Sequence, residues 1–193
     1  MKIDPKFVAK VAGTLTIISL ITAALLGLVD GVTRGPIAEI EAEKTRVAMS
    51  AVAPAGSEFT EKLEIPAAAT EAAAAQGGKV LELYGVKAGG YVLKVSASGS
   101  QGTIVMMVGT DANNAITGIS VVSHAETSGI GTKVVGNELN DAGVPVLDQF
   151  IGLSGAGSLV VKGNIVPITT ATVSTKGITT GANAALAAVE AMG

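Results

Sequence analysis

The sequence feature that most restricts the fold is an uninterrupted apolar run near the N-terminus. Residues Val11 to Val29 include no charged side chain. A helix needs about 20 mostly apolar residues to cross the hydrocarbon core of a bilayer, and this run has about that length. The chain as a whole is 48% hydrophobic with a mean hydropathy of +0.54, which favours attachment to a membrane. The sequence therefore predicts an N-terminal transmembrane anchor over residues 1–34.

The charges that flank this run predict its orientation. Mostly basic residues precede it and a mixed pair follows it: Lys2, Asp4, Lys6, Lys10, then Asp30 and Arg34. Because basic flanks stay in the cytoplasm, the rest of the chain is expected on the extracytoplasmic side of the cell (inner) membrane. A cleaved signal peptide also begins with basic and apolar residues, but here the apolar run is longer and no clear Ala-x-Ala site follows. We therefore favour an uncleaved, single-pass anchor.

Residues 35–78 are predicted to form a helical and Ala-rich linker region. Gly35-Pro36 is typical of a helix start, and the expected helix ends near Val52, before Pro54-Ala55-Gly56. The alanine tract from Ala67 to Gln76 is compatible with either a short surface helix or a loop. Neither alternative implies a function for the tract.

Residues 79–193 are predicted to form an α+β domain with an antiparallel twisted sheet and flanking helices. Short runs rich in β-branched residues, separated by Gly, Asn and Ser, indicate four neighbouring strands: Val80–Val86, Tyr91–Ala97, Thr103–Val108 and Ile116–Val122. A further strand is predicted at Leu159–Lys162, and a helix or turn at Val146–Ile151. The apolar spacing of Ile178–Met192 predicts a terminal helix, with Ser174 or Thr175 as its cap.

The composition excludes several classes of function. The chain has no Cys, so disulfides, iron–sulfur clusters and thiolate metal sites are excluded, and its single His argues against a His-based metal centre. A net charge of -3 and 3% aromatic residues argue against nucleic-acid binding. No nucleophile, base and acid occur together in a recognisable set, so catalytic turnover by this domain alone is not expected.

Two polar segments are the candidate binding sites. Thr169–Thr175 leads into the C-terminal helix, where unpaired N–H groups and Lys176 favour an anion such as a phosphate near Thr172. The loop Ser123–Lys133 follows the fourth strand, and its Gly129 and Gly131 allow backbone N–H groups to approach a flat ring. From the residues alone, a helix-capping loop and a simple turn remain open alternatives.

Both segments resemble motifs of one family, the FMN-binding subunits of membrane-bound respiratory complexes. Ser123–Lys133 is similar to the family's His-x-Glu-Thr-Pro-Gly-Leu-Gly loop, and Thr169–Thr175 resembles its Ser/Thr-Gly-Ala-Thr motif. Thr170, Ser128 and Val166 depart from the usual Gly, Pro and acidic residue. The resemblance implies FMN joined through its phosphate to the oxygen of Thr172. It also implies further flavin contacts: Glu126, Thr127, Gly129, Gly131, Lys133, Ala171, Val173, Ser174 and Thr175.

Within that family, the chain most resembles the G subunit of the Rnf ion-translocating oxidoreductase. That resemblance implies electron transfer between ferredoxin and NAD, other membrane subunits as partners, and a flavin transferase that attaches the FMN. The C subunit of the sodium-translocating NADH:quinone reductase is the alternative in the same family. A membrane-tethered binding domain without cofactor is the alternative from another class.

Overall fold

The computed structural model describes residues 5–54 and 56–193. Lys2, Asp4 and Ala55, which entered the predictions above, lie outside the described residues. The chain divides into two compact units, Met1–Glu43 and Lys44–Gly193, and each is described by itself. The predicted division into segments 1–34, 35–78 and 79–193 has boundaries that differ from those of the two compact units. It stays a prediction.

The described part of the first unit, residues 5–43, lies within helix α1, which spans Pro5–Val52. Among the described residues, this is the one helix long and apolar enough to cross a membrane. Residues 11–29 rise about 28 Å, close to the thickness of a hydrocarbon core. The Leu, Ile and Val side chains of the predicted span are exposed, as side chains that face lipid would be. The hydroxyls of Thr14, Thr16 and Thr22 each donate to the carbonyl four residues earlier at 2.9 Å, so these polar groups are satisfied within the helix.

The prediction of a separate helix that begins at Pro36 was wrong, because α1 continues through this residue. Pro36 lacks one N–H donor, but the helix extends for more than a turn on either side of it. An ion pair one turn apart, between Arg34 Nη2 and Asp30 Oδ2 at 2.5 Å, reinforces the turn that precedes the proline.

The second unit contains a five-stranded antiparallel sheet in which the strands lie in sequence order. The strands are β1 (Phe59–Leu63), β2 (Gly78–Val86), β3 (Tyr91–Ser98), β4 (Thr103–Thr110) and β5 (Ile116–Ser123). The four predicted strands are confirmed, and the predicted fold class with them. Strand β1 was missed because only its two end residues are apolar and most of it is exposed.

Alternate residues of β3 pack on opposite faces of the sheet. Leu93 and Val95 face the larger core, which is formed with helices α2 (Ala67–Ala75) and α4 (Thr172–Glu190). Val92 faces a smaller core formed with Met49 and Val52 at the end of α1. The two-residue period of a strand thus accounts for both cores. The alanine tract, for which helix and loop were open, is a helix whose Ala69 and Ala73 are buried.

The loops that follow the sheet contain little regular structure. They include helix α3 (Gly131–Val135) and the 3-10 turns Asp148–Phe150 and Thr169–Ala171. The turn at Asp148–Phe150 confirms the helix or turn predicted at Val146–Ile151. The strand predicted at Leu159–Lys162 was wrong, because only Val161 forms a bridge, with Ile165. The side chain of Asn183 on α4 bonds both the N–H and the C=O of Leu159, at 3.3 and 2.9 Å, and so replaces strand pairing there.

Candidate functional site

Helix α4 begins earlier than the sequence predicted. Thr172 is its first residue and Ala171 is the cap, with no capping bond from a side chain. The prediction that Ser174 or Thr175 caps the helix was therefore wrong. Both residues lie inside the first turn, where their hydroxyls are engaged elsewhere. The 3-10 turn Thr169–Ala171 leads directly into the helix, and places Thr172 at the positive end of its dipole.

The hydroxyl groups of Thr169–Thr175 differ in their availability. Three of them have firm partners: Thr169 donates to the Asp141 carboxylate, buried Ser174 to the Glu126 carboxylate, and buried Thr175 to the Ala171 carbonyl at 3.1 Å. Thr172 is half-buried, and its hydroxyl makes one longer bond, to the Thr169 carbonyl at 3.3 Å. Thr170 is exposed. Thr172 and Thr170 therefore have the least engaged hydroxyl groups of this segment.

Asp141 fixes the turn that precedes α4. Its carboxylate accepts hydrogen bonds from the Thr169 hydroxyl and from the Thr169 N–H, the latter at 3.1 Å. These two bonds, the hydroxyl first, lower the pKa of Asp141 below its ordinary value because they favour the ionised form. The ionised carboxylate thus stabilises the backbone three residues before Thr172.

Glu126 joins three segments of the site. Its carboxylate is buried, and it accepts hydrogen bonds from the Ser100 N–H at 2.7 Å and from the Ser174 hydroxyl. It therefore links the β3–β4 turn, the loop after β5 and the first turn of α4. A Cβ atom at Gly99 or Gly131 would collide with this carboxylate, so both positions require glycine. Glu126, predicted to contact the flavin, has its carboxylate committed to protein donors.

A cleft of about 210 Å³ lies where these segments meet. We call it the glycine-loop cleft. Its lining contains Ser100, Glu126, Thr127, Ile130, Gly131 and the continuous stretch Thr169–Ser174. The structure thus brings the two predicted motifs together in one cleft, although they are far apart in the sequence. Of the predicted site residues, it places Glu126, Thr127, Gly131, Ala171, Thr172, Val173 and Ser174 in the lining.

Three predicted residues do not line this cleft. Gly129 lies in the adjacent turn with a φ of 75°, and its N–H donates to the Thr132 hydroxyl at 2.8 Å. Lys133 lies on α3, and Thr175 is buried under the first turn of α4. The single His124 is exposed, and its Nδ1 accepts the Glu126 N–H at 3.3 Å.

Sequence reasoning missed Ser100 altogether, and it did not name Ile130, Thr169 or Thr170 as individual contact residues, although all three lie in the two candidate segments. Ile130 stands where the resembled motif has Leu, and the two threonines precede the predicted attachment residue, so the motifs themselves contained that signal. Ser100 carried no signal. It reaches the cleft only because the turn between β3 and β4 lies over the loop after β5.

A second cleft, of about 420 Å³, also has Thr172 in its lining. We call it the lysine cleft. It is formed by the turn at residues 159–162 and by one face of α4, and its lining contains Leu159, Val160, Val161, Lys162, Thr172, Lys176, Thr179, Thr180 and Asn183. Thr172 is the residue that lines both clefts.

Comparison with known protein families gives a match to the FMN-binding domain over residues 99–187. The matched stretch includes all the lining residues of both clefts. The domain family therefore coincides with the site that the geometry identifies.

Related proteins match between 72% and 95% of the chain. It is 33% identical to the G subunit of the Na(+)-translocating ferredoxin:NAD(+) oxidoreductase complex of Acetobacterium woodii, over 95% of this chain and 92% of that protein. It is 29% identical to the G subunit of the ion-translocating oxidoreductase complex of Methanosarcina acetivorans, over 91% of this chain and 90% of that protein. It is 30% identical to the corresponding subunit of Cereibacter sphaeroides, over 72% of this chain and 72% of that protein. The chain therefore belongs to the family of G subunits of ion-translocating (Rnf) oxidoreductase complexes.

Proposed function

We propose that this protein is the electron-transfer subunit that carries covalently bound FMN in a membrane-bound ion-translocating ferredoxin:NAD oxidoreductase. Its FMN-binding domain and its family membership support the role of an electron-transfer flavoprotein. The observation that carries the proposal is that both flavin-type motifs line the same cleft, next to the N-terminus of α4. The other subunits of the complex are its proposed partners, and FMN supplies the redox chemistry.

The proposed attachment atom is Thr172 Oγ1. This oxygen belongs to a half-buried residue and makes only one long hydrogen bond, whereas the hydroxyls of Thr169, Ser174 and Thr175 are engaged. A phosphate on Thr172 lies beside the unpaired N–H groups and the positive dipole of α4. Exposed Thr170 is the alternative acceptor, and it lies in the 3-10 turn before these N–H groups.

Formation of the bond needs an activated flavin, because a free phosphate monoester has no good leaving group. A flavin dinucleotide supplies one: the Thr172 oxygen bonds to the flavin phosphorus, the phosphoanhydride bond breaks, and the nucleoside monophosphate leaves. The hydroxyl proton passes to solvent, and no electrons are exchanged. We propose that a separate flavin transferase performs this step, as the resemblance of the Thr169–Thr175 motif implies.

The size of the glycine-loop cleft supports a flavin that stays accessible to neighbouring redox groups. Its volume of about 210 Å³ is below the roughly 300–1,000 Å³ of pockets that enclose a drug-sized ligand. The side chains of Ile130 and Val173 at the cleft are 46% and 58% exposed and offer apolar contact to a flat ring. Thr127 lines the same cleft, and a hydrogen bond from its hydroxyl to a ring carbonyl is part of this proposal. An incompletely covered ring suits electron exchange with the other subunits.

We further propose that the flavin domain faces the extracytoplasmic side of the cell membrane. The described basic residues before the apolar run, Lys6 and Lys10, support an N-terminus in the cytoplasm. A covalent bond suits that location, because dissociated FMN would be lost by dilution. Protease added to intact spheroplasts is expected to degrade the flavin domain, and protection of a fluorescent domain would contradict the orientation.

The test of the proposed function is the intact mass of the full-length protein, produced with and without a flavin transferase. With the transferase, the mass is expected to rise by one FMN less one water, and the flavin fluorescence is expected to persist after denaturation. Protein from both preparations is also examined for flavin absorbance. An unchanged mass and no absorbance would instead support the tethered domain without cofactor. The C subunit of the sodium-translocating NADH:quinone reductase was the alternative from the sequence, and the match to G subunits disfavours it.

A further inference from the structure

We infer that the phosphodiester between FMN and Thr172 is bound in the lysine cleft by the ammonium groups of Lys176 and Lys162. This inference rests on the proposed attachment at Thr172 and adds the residues that bind its phosphate. Thr172 lines both clefts, so a group bonded to Oγ1 has access to either side. The charges that line the two clefts decide between the sides.

The glycine-loop cleft is unfavourable for an anion. Among the described residues, the one charged side chain in its lining is Glu126, a buried carboxylate that already accepts hydrogen bonds from Ser100 and Ser174. A phosphodiester keeps one negative charge at neutral pH, so on this side it would be repelled by Glu126. No lysine or arginine that the structure describes lines the cleft to offset that repulsion.

The lysine cleft has the opposite charge. Of the residues that the structure describes, Lys162 and Lys176 are the charged ones in its lining, and none contributes a carboxylate. Both side chains are exposed, and neither is within ion-pair distance of a carboxylate in residues 5–54 and 56–193. Two cations without anionic partners in that part of the chain therefore stand in one cleft beside the proposed attachment oxygen. A phosphodiester would supply the missing negative charge.

The geometry of α4 places Lys176 within reach of that charge. Thr172 and Lys176 are four residues apart on the same helix, so their side chains lie on the same face, one turn from each other. An anion at the earlier position and a lysine at the later one is the favourable order for such a pair. Lys176 therefore binds the phosphodiester from the side of the helix C-terminus. The N–H groups of the first turn face the phosphodiester from the side of the helix N-terminus.

Lys162 is held at the cleft by a constrained turn. Its φ of 64° is in the left-handed region that side chains other than glycine rarely adopt. Its N–H donates to the Ile165 carbonyl at 2.8 Å, and the side chain of Asn183 on α4 fixes the nearby Leu159 backbone. These bonds connect the turn to the same helix that carries Thr172. The turn thus presents the second cation of the cleft.

Amine footprinting of the full-length protein in detergent tests the inference. Apo and flavin-bearing protein are acetylated under identical conditions and digested with a protease that does not cleave at lysine. We expect acetylation of Lys176 and Lys162 to slow by about threefold when FMN is attached, within the range that exposed ion pairs provide. Lys79, an exposed lysine on β2 outside both clefts, is the matched control and is expected to react equally in both forms.

A second measurement separates phosphate binding from simple shielding by the ring. The phosphorus NMR resonance of the attached flavin is expected to shift in Lys176→Gln and to stay unchanged in Lys79→Gln. Protection without a resonance shift, or equal acetylation with FMN attached, would overturn the inference while leaving the proposed function intact. Absence of FMN from protein made with the transferase would instead refute the proposed attachment, and this inference with it.

Discussion

Replacement of Glu126 by alanine is the perturbation with the largest expected effect on the site. Glu126 is 7% exposed and connects the β3–β4 turn to the first turn of α4. The substitution leaves the Ser100 N–H and the Ser174 hydroxyl without their charged acceptor. The Gln101 N–H lies 3.5 Å from the same carboxylate and contributes little at that distance.

The structure allows an estimate of the magnitude. A hydrogen bond to a charged group contributes about 1.5–3 kcal/mol, and two such bonds are lost. Because the adjacent cleft is open, water can replace part of the loss, and the lower end of the sum, about 3 kcal/mol, is expected. For a chain of this size, each kcal/mol lowers the melting temperature by about 2–4 °C, which gives a decrease of about 6–12 °C.

Thermal unfolding of the full-length protein in detergent, followed by circular dichroism, measures this effect. Glu71→Ala on the exposed face of α2 is the control and is expected to change stability by less than about 0.5 kcal/mol. Ser174→Ala removes one of the same bonds, so the double variant is expected to lose less than the sum of the single losses. The expected fall in melting temperature for Glu126→Ala is about 6–12 °C. A melting temperature within about 2 °C of wild type would refute the assigned role of Glu126.

Three further predictions concern the same domain. Thr127→Val is expected to keep the attached flavin but to change its midpoint potential in a redox titration, because it removes a polar contact worth on the order of 1–3 kcal/mol. Gly177→Ala is expected to destabilise the protein by about 1–3 kcal/mol in thermal unfolding, since its Cβ would meet the Ser98 carbonyl oxygen at 2.7 Å. Gly181→Ala meets mainly the flexible end of Met106 and is expected to cost less. The pKa of Asp141 is lowered on folding, so its contribution to stability is present above its ordinary value of 3.8 and disappears as the pH falls through the folded pKa. The stability difference between wild type and Asp141→Asn is therefore expected at neutral pH and should vanish in acid.

Sequence patterns correctly predicted the strands that pair with strands close to them in the sequence. The four central strands are rich in β-branched residues and separated by turn residues, and the sheet pairs them in sequence order. Leu159–Lys162 has the same composition, but the side chain of Asn183, 24 residues from Leu159, takes the backbone groups that a strand would pair. Propensity cannot reveal such a competitor, because the partner is distant in the sequence.

The site shows the same limit. Ser174 is a residue type that suits a helix cap, yet its hydroxyl donates to Glu126, which lies 48 positions earlier. Without any structure, motif resemblance pointed to Thr172 and to the loop after β5, both of which the structure brings to one cleft. It could not identify Ser100, or the approach of Lys162 to Lys176, because these depend on how turns and helix pack. Resemblance thus gave the motifs, and packing determines which side chains are free to bind.

Location of the flavin within the chain is the most direct test of the central claim. The full-length protein is produced with a flavin transferase and digested with trypsin, and the peptide Gly163–Lys176 is fragmented in a mass spectrometer. The flavin phosphate is expected on Thr172, and it should be lost completely, with the in-gel fluorescence, in Thr172→Ala. Thr170→Ala is the matched control, and it is expected to keep the flavin. Flavin found on Thr170, or retained covalently in Thr172→Ala, would contradict attachment at Thr172.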